Sequence, residues 1–345
     1  MKKALIALAV LGLTGGAAVA QSSVTLFGVL DADMKYTKTG DVKKKALDSS
    51  GLNTSRFGVR GTEDLGGGLK AGFWLESEVA VDTGVAGNGG AFWGRRATVS
   101  LAGDFGEVRL GRNKTASRLH LEDFDPFAFT GLGSVGAVYS NLGSGNGTSY
   151  GRADNLVSYS LPNNLSGFYG GVDVSAGEGT NTNKGQSVRL GYKNGPLHVS
   201  GTYASTSNAA DNSKFKLTSI GGAYDLGVAR PSLSYTESKY LSRKQQVLTA
   251  AVTVPVGQGQ FVATYTDAKA NGAAETAAAG YTAIGDAKLF ALGYAYNLSK
   301  RTALYTTYSQ IDNKGNARFL VAGSPAATAG GQKSSGVDVG VRHSF

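Results

Sequence analysis

One segment of the chain carries residue types that could perform acid–base chemistry. Within residues 119–129, His120 is followed closely by Asp123 and Asp125, and a carboxylate can orient a histidine for proton transfer. The corresponding function would be an enzyme such as a phospholipase or a protease, which also needs a nucleophile beside the histidine. A lone histidine in an acidic loop is far more often structural, so we expect no catalytic residue and no enzyme.

Two other chemical motifs can be set aside. The G-x-G-x-x-G pattern at residues 131–136 lacks the surrounding strand–helix unit that a nucleotide site needs. His120, His198 and His343 lack the spacing of metal ligands. Basic charge with many tyrosines would suit nucleic-acid binding, but export and amphipathic strands argue against it. The sequence therefore predicts no metal site, no cofactor and no nucleic-acid partner.

The last eleven residues show which elements carry the polar groups. From residue 335 to residue 345, apolar and aromatic side chains occupy one face of an extended strand, and polar or very small side chains occupy the other. This alternation suits a strand that separates lipid from a watery lumen, with the terminal Phe345 as an aromatic end.

The other end of the chain resembles an export signal. A cationic start precedes an apolar run at residues 4–13, and an A-x-A cleavage pattern stands at residues 18–20. We expect residues 1–20 to be a signal peptide and residues 21–345 to form one domain. Removal of Lys2 and Lys3 lowers the formal net charge from +9 to +7. No later run reaches the 18 or so apolar residues of a transmembrane helix.

Composition and turn signals favour many short strands. The chain has 51 glycines, 16 tyrosines, 14 phenylalanines, six prolines and no cysteine, so an exported chain of this length must be stable without disulfides. Alternation predicts sixteen strands. Their approximate ranges are 23–36, 53–64, 69–82, 92–102, 105–113, 152–162, 167–177, 185–194, 197–206, 214–225, 229–239, 243–254, 259–268, 286–297, 302–311 and 335–345.

The connections between these strands alternate between short and long along the chain, which is typical of an outer-membrane barrel. We therefore predict an all-β fold: a transmembrane, 16-stranded antiparallel β-barrel. Its longest connection, about 114–151, has a core too apolar to extend into water. We expect this loop to fold inward as a constriction loop.

The whole mature chain resembles the general trimeric porins of Gram-negative bacteria, most closely the β-proteobacterial branch. The resemblance rests on the order and spacing of residues 23–31, 55–61, 94–101 and 105–112, on the long loop and on the terminal Phe345. It implies a homotrimer in the outer membrane that allows passive diffusion of small hydrophilic solutes and ions. It also implies that Phe345 is recognised by the barrel assembly machinery.

In this family, arginines of the wall face acidic residues of the loop across the narrowest part of the pore. Motif by motif, the wall arginines correspond to Arg56, Arg95 and Arg152. The loop acids correspond to Glu122, Asp123 and Asp125. Residues 125–129 depart from the usual proline-glutamate-phenylalanine-glycine-glycine core, which leaves open the acid that lines the pore. The resemblance favours Arg95 inside, whereas alternation favours its neighbour Arg96.

Strand alternation places further charges on polar faces. The cations are Arg56, Arg60, Arg109, Arg189, Lys193, Lys214, Lys216 and Arg342. The acids are Glu76, Glu78 and Asp338. An excess of cations in the lining predicts anion preference. The alternative is that many of these cations lie at the rims, where they are solvated or bind outer-membrane lipid and lipopolysaccharide phosphates.

Two other functions remain open on the sequence. The first is a channel with a binding site for one class of anion, such as dicarboxylates or phosphate. The second is a mainly structural or adhesive barrel.

Overall fold

The computed structural model describes residues 23–144, 150–179, 184–208, 213–272 and 285–345. The predicted signal peptide, residues 1–20, lies outside this range. None of the described helices is long and apolar enough to cross a membrane.

The chain forms one antiparallel sheet that closes into a barrel. Its strands are β1 Ser23–Thr39, β2 Val42–Ser49, β3 Arg56–Gly66, β4 Leu69–Glu78, β5 Arg96–Gly103, β6 Gly106–Lys114, β7 Arg152–Ser160, β8 Phe168–Ser175, β9 Gly185–Asn194, β10 Leu197–Ser207, β11 Lys214–Tyr224, β12 Arg230–Tyr240, β13 Arg243–Val256, β14 Gly259–Gly272, β15 Ala287–Asn297, β16 Thr302–Asn313 and β17 Ser334–Ser344. Because β2 and β3 both pair with β1, they form one interrupted barrel strand. The predicted 16-stranded antiparallel β-barrel is confirmed.

Strand β2 was missed because its sequence does not alternate. Lys43, Lys44 and Lys45 follow one another, and none of its residues is buried. Because β2 has no buried face, nothing imposes an alternation of apolar and polar side chains on it. The predicted connection between the strands at 23–36 and 53–64 therefore contains a strand, Val42–Ser49.

Pairing between the first and last strands closes the barrel. Strand β1 pairs with β17 from Val29 opposite Ser344 to Thr39 opposite Ser334. Val337, Val339 and Val341 are exposed on the outer surface, and the side chains between them point inward. Closure therefore gives β1 and β17 partners on both sides without disulfides.

The long connection after β6 folds into the barrel, as predicted. It contains helix α1, Ala116–Asp123, and a 3₁₀ helix, Val135–Val138. Its apolar residues pack in two clusters against the inner wall of β10 to β16. One cluster includes Phe127, Leu132 and Val138 of the loop, and the other includes Leu121 and Leu142. The loop therefore covers this half of the inner wall and leaves the wall of β3 to β7 open.

This covering corrects the prediction for Lys214 and Lys216. Phe215 and Leu217 of β11 point inward, are fully buried and pack beneath the loop. Because side chains alternate along a strand, both lysines are exposed on the outer face, at the loop end of the barrel. They do not line the pore.

The interruption between β2 and β3 also turns inward. The carboxylate of Asp31 accepts backbone N–H groups of Gly51, Leu52 and Asn53 at 3.1, 3.0 and 2.6 Å, and the hydroxyl of Tyr305 also donates to it. Because these donors are all satisfied by one buried acceptor, residues 50–55 hold a fixed position immediately before Arg56.

Candidate functional site

Helix α1 of the loop has one side against the barrel wall and the other side toward the barrel interior. Thr115 caps its first turn by accepting the N–H of Arg118 at 3.2 Å. On the wall side, His120 is fully buried, with Ser200 Oγ 2.7 Å from Nδ1 and Ser219 Oγ 2.9 Å from Nε2. Burial lowers the pKa of His120 to about 3, so this histidine is neutral and anchors the loop.

Asp125 organises the tip of the loop. Its carboxylate is 3 % exposed and accepts the backbone N–H groups of Phe127, Phe129 and Val135 at 2.9, 2.9 and 3.2 Å. Burial raises the pKa of this carboxyl to about 6, although these donors favour its charged form. Ala128 and Phe129 have positive φ angles of 50° and 58°. The prediction that Asp125 lines the pore is wrong, because the carboxylate is enclosed by its own loop.

Between the loop and the open wall lies a cavity of about 630 Å³. Its basic lining residues are Arg56, Arg95, Arg96, Arg109, Lys114, Arg118 and Arg152. Its acidic lining residues are Glu76, Glu78 and Glu122. Seven cations thus face three carboxylates, which leaves an excess of four positive charges.

Arg95 and Arg96 both line this cavity, which resolves the two alternatives for the pair. Strand β5 begins at Arg96, so alternation does not constrain Arg95. Arg95 Nε lies 2.5 Å from Glu76 Oε1, and Arg56 Nε lies 3.9 Å from the same oxygen. Arg152 Nε donates to the backbone carbonyl of Arg95 at 2.7 Å. Arg56, Arg95 and Arg152 therefore converge around Glu76.

Trp74 holds a second pair of arginines. The guanidinium carbon of Arg96 lies 4.3 Å from the indole centroid, and that of Arg60 lies 4.9 Å from it. The indole Nε1 donates to Glu76 at 3.1 Å. Such cation–π contacts restrain long side chains that would otherwise sample many rotamers.

Glu122 is the acid of the loop that faces the cavity. Lys114 Nζ lies 2.6 Å from its Oε2, and Arg118 Nε lies 2.7 Å from its Oε1. Burial opposes ionisation of this carboxyl, but the two cations outweigh it and hold its pKa below the usual range. The negative charge of Glu122 thus offsets one of the two positive charges of Lys114 and Arg118.

Asp123 faces another part of the wall. Its carboxylate forms an ion pair with Arg189 of β9 and accepts the hydroxyl of Tyr169 at 3.3 Å. His198 Nε2 lies 3.6 Å from the same carboxylate. Of the three predicted loop acids, only Glu122 lines the cavity within the described residues.

Comparison with known proteins identifies this architecture. A family model described as a Gram-negative porin matches residues 7–316, which is most of the chain. The chain belongs to the Gram-negative porin family. It is an outer-membrane porin, and the family and the fold are those of passive channels.

Three relatives show how far the similarity extends. Outer membrane porin protein 32 of Delftia acidovorans is 39 % identical over 373 residues, covering 100 % of both chains. An outer membrane porin of Bordetella pertussis is 32 % identical over 404 residues, with 100 % of both covered. The solved structure of an anion-selective porin from Comamonas acidovorans has 35 % identity and a TM-score of 0.81, covering 94 % of this chain and 100 % of that one.

The remaining predicted lining residues of the porin occupy varied positions. Arg60 and Lys193 are exposed on inward faces, and Arg109 Nη2 lies 2.5 Å from Glu107. Arg342 also points inward, and its Nη1 lies 3.3 Å from Asn53 Oδ1. They keep the inward orientation that alternation predicts.

Asp338 departs from its prediction. Its side chain points inward but is 1 % exposed, and its carboxylate accepts the N–H of Thr307 at 2.7 Å. Leu132 of the loop covers the neighbouring Gly336, since a Cβ there would lie 3.1 Å from the leucine. The prediction that Asp338 lines the open pore is therefore wrong.

Sequence reasoning missed three residues that line the cavity of the porin, namely Lys114, Arg118 and Trp74. Lys114 ends strand β6, next to a bulge that breaks alternation between Gly111 and Asn113. Arg118 belongs to a helix of eight residues that no strand pattern could place. Trp74 could have been found, because it shares its strand face with the predicted Glu76 and Glu78.

Proposed function

We propose that this outer-membrane porin prefers anions among the small hydrophilic solutes and ions that diffuse through it. The observation that carries the proposal is the cavity beside the loop, where seven basic side chains face three acidic ones. The anion-selective porin from Comamonas acidovorans, at 35 % identity, supports the same preference.

The charge excess acts on solutes that are confined between the loop and the wall. In a narrow pore with a low-dielectric wall, positively charged side chains concentrate mobile anions and repel mobile cations. Arg56, Arg95 and Arg96 lie on the wall, and Arg118 and Glu122 lie on the loop. A transverse field between these two sides orients dipolar solutes and disfavours apolar ones.

We also propose that the porin catalyses no reaction. The Ser–His contacts of His120 are the arrangement nearest to a catalytic group in the described chain. His120 is 0 % exposed, and its two ring nitrogens are engaged by Ser200 and Ser219. A substrate therefore cannot reach this histidine.

The aromatic girdle supports a homotrimer, which the resemblance to trimeric porins implies. The sequence has no tyrosine between Tyr36 and Tyr139, so strands β2 to β6 carry none. Tyrosines point outward on β9 to β12 and on β14 to β16, where they suit the membrane interface. We infer that the wall of β2 to β6 contacts neighbouring copies rather than lipid.

Lysines on the outer face, at the end of the barrel where the long connections lie, support binding of lipopolysaccharide phosphates. Lys216 stands opposite Lys239, and Lys239 stands opposite Lys244. Glu237 neutralises part of this charge by pairing with Lys239 at 2.6 Å and with Lys244 at 2.7 Å. Lys214 adds a further exposed cation, so the group keeps a positive excess facing anionic headgroups.

The two ends of the chain belong to the same proposal. We infer that residues 1–20 are removed on export and that residues 21–345 form the single barrel domain. We also infer that Phe345 serves recognition by the barrel assembly machinery. Its backbone N–H and carbonyl pair with Gly28 at 3.1 and 3.0 Å.

Ion substitution tests the proposed preference. In planar bilayers, replacing chloride with a larger anion should lower single-channel conductance strongly, because the anion carries most of the current. Replacing potassium with a larger cation should lower conductance much less. A conductance that follows the cation would contradict the proposal.

A further inference from the structure

Three apolar residues of the loop face the same cavity as the arginines. Leu119 of α1, Ala128 and Phe129 all line it. Leu119 is 37 % exposed, whereas most large apolar side chains of similar exposure lie on the outer face of strands or in connections at the barrel ends. An apolar surface inside a watery site usually marks contact with an apolar part of a ligand. These three residues are termed the apolar strip.

Packing of the loop accounts for Phe129, which lies against the buried cluster of Leu121 and Leu142, but not for Leu119. Helix α1 anchors itself to the wall through His120 and Leu121, which are both buried. Leu119 is directed toward the cavity instead. Its exposure to water costs free energy that a polar residue at this position would avoid.

The apolar strip is held in place before any solute arrives. Phe129 stacks on Tyr139 with ring centroids 5.7 Å apart, and the guanidinium carbon of Arg118 lies 4.1 Å from its ring centroid. Asp125 fixes the backbone of the same tip through the N–H of Phe129. A rigid surface binds a ligand with a smaller entropic cost than a mobile one.

Guanidinium groups complete the cavity. Arg56, Arg96 and Arg152 line it together with the apolar strip, and guanidinium groups bind carboxylates with paired hydrogen bonds. The cavity volume of about 630 Å³ is in the usual range for small-molecule sites. A ligand with one carboxylate and a hydrocarbon body would match both surfaces.

We propose that the constriction binds monocarboxylates with a hydrocarbon body, such as benzoate, more tightly than compact anions of the same charge. This inference rests on the proposed anion preference and names a solute class for the same site. A compact dicarboxylate could engage two of the basic side chains, but it would leave the apolar strip exposed to water. The apolar strip therefore favours a monocarboxylate with a hydrocarbon body.

Block of the chloride current tests this inference. Benzoate, acetate and succinate, with neutral benzyl alcohol as a fourth probe, are titrated against single-channel chloride current. Benzoate should halve the current at a concentration about tenfold lower than acetate, a factor equivalent to about 1.4 kcal/mol. Succinate and benzyl alcohol should each block less than benzoate, because each satisfies only one of the two surfaces.

Leu119→Gln provides the decisive variant, since glutamine retains helix propensity and side-chain length. It should reduce the advantage of benzoate over acetate at least about threefold. Leu226→Gln is the matched control, because Leu226 is an exposed leucine in the short connection between β11 and β12. This control should keep the full advantage.

Two outcomes would overturn the inference. Equal block by benzoate and acetate would show that the apolar strip contributes nothing. An unchanged benzoate advantage in Leu119→Gln would show that another surface binds the hydrocarbon. Ion substitution in the wild-type porin measures chloride preference independently of carboxylate block. Absence of that preference would contradict the proposed function, whereas equal block by benzoate and acetate would contradict only this solute class.

Discussion

Arg95 and Glu76 form the central ion pair of the constriction, with Arg95 Nε 2.5 Å from Glu76 Oε1. Arg56 lies 3.9 Å from the same carboxylate oxygen, so one acid is shared by two bases. The pair brings together strand β4 and the segment before β5. Because Glu76 already pairs with Arg95 and Arg56, the basic side chains farther from Glu76 can attract passing anions.

The first prediction concerns Arg56 and Arg152. Replacing each with serine should lower chloride preference and raise the flux of larger neutral sugars, because each change removes a charge and several atoms from the cavity lining. The double variant should exceed either single variant, since both side chains act on the same aqueous volume. Reversal potentials and liposome swelling measure the two effects.

Lys214→Ser is the matched control for these variants. It also removes one positive charge, but from the outer face of the barrel. It should leave selectivity and sugar flux unchanged. If Lys214→Ser altered selectivity as strongly as Arg152→Ser, net charge rather than the cavity would set the preference.

The second prediction concerns the contact between β11 and the loop. Phe215 is fully buried and lies edge-on to Tyr150 with ring centroids 5.4 Å apart. Phe215→Ala should lower the free energy of unfolding by about 3 kcal/mol and increase current noise, because a cavity forms beneath the loop. Lys216→Ala, one residue away on the outer face, should do neither. Equal effects of the two variants would contradict the observed register.

The barrel was predictable because lipid and water impose a strict rule on strand faces. All sixteen predicted strands overlap strands of the structure, and the inward loop was predicted from its length and apolar core. Strand β2 escaped prediction because none of its residues is buried, so its sequence shows no alternation. Phe215 and Leu217 misled the prediction for Lys214 and Lys216, because alternation gives two faces without showing which one is covered by the loop.

The constriction was predictable where strand alternation or family motifs applied, as for Arg56, Arg96 and Glu76. Asp125 could not be placed, because its role depends on three backbone N–H groups of a folded loop tip. Arg118 depends on the orientation of α1, which is set by burial of His120 and Leu121. Such contacts arise only once the loop has packed against a distant part of the chain.

The third prediction concerns the terminal aromatic. Deleting Phe345 should reduce the yield of folded porin in the outer membrane while export continues, because the interfacial anchor and the proposed assembly signal are lost. Gly28→Ala should have a weaker effect in the same direction, since a Cβ there would collide with the Phe345 ring. Normal yield of folded porin after the deletion would show that Phe345 is dispensable.

The fourth prediction concerns pH. The lowered pKa of Glu122 keeps this carboxylate charged, and the pKa of His120 near 3 keeps the imidazole neutral. As the pH falls, chloride preference should therefore rise slightly near pH 6, where the enclosed Asp125 is protonated, and strongly only at lower pH, where Glu122 is protonated. A strong change of selectivity that disappears when a histidine is replaced would instead indicate a histidine in the conduction path.

Folding stability should follow these same groups with a defined sign. The ion pairs of Glu122 stabilise the fold above the ordinary carboxyl pKa, and this contribution is lost as the pH falls through its lowered pKa. His120 is protonated in the unfolded chain below about pH 6.5 but not in the fold, so stability also decreases from there toward pH 3. His120→Asn should remove that second decrease in thermal-unfolding curves.

The zero-current potential across a bilayer with a tenfold KCl gradient tests the central claim most directly. At low salt its sign should show chloride passing more readily than potassium, because four excess positive charges line the cavity. At molar salt the potential should shrink, since the Debye length falls to about 3 Å. A potential of the opposite sign at low salt would contradict the account.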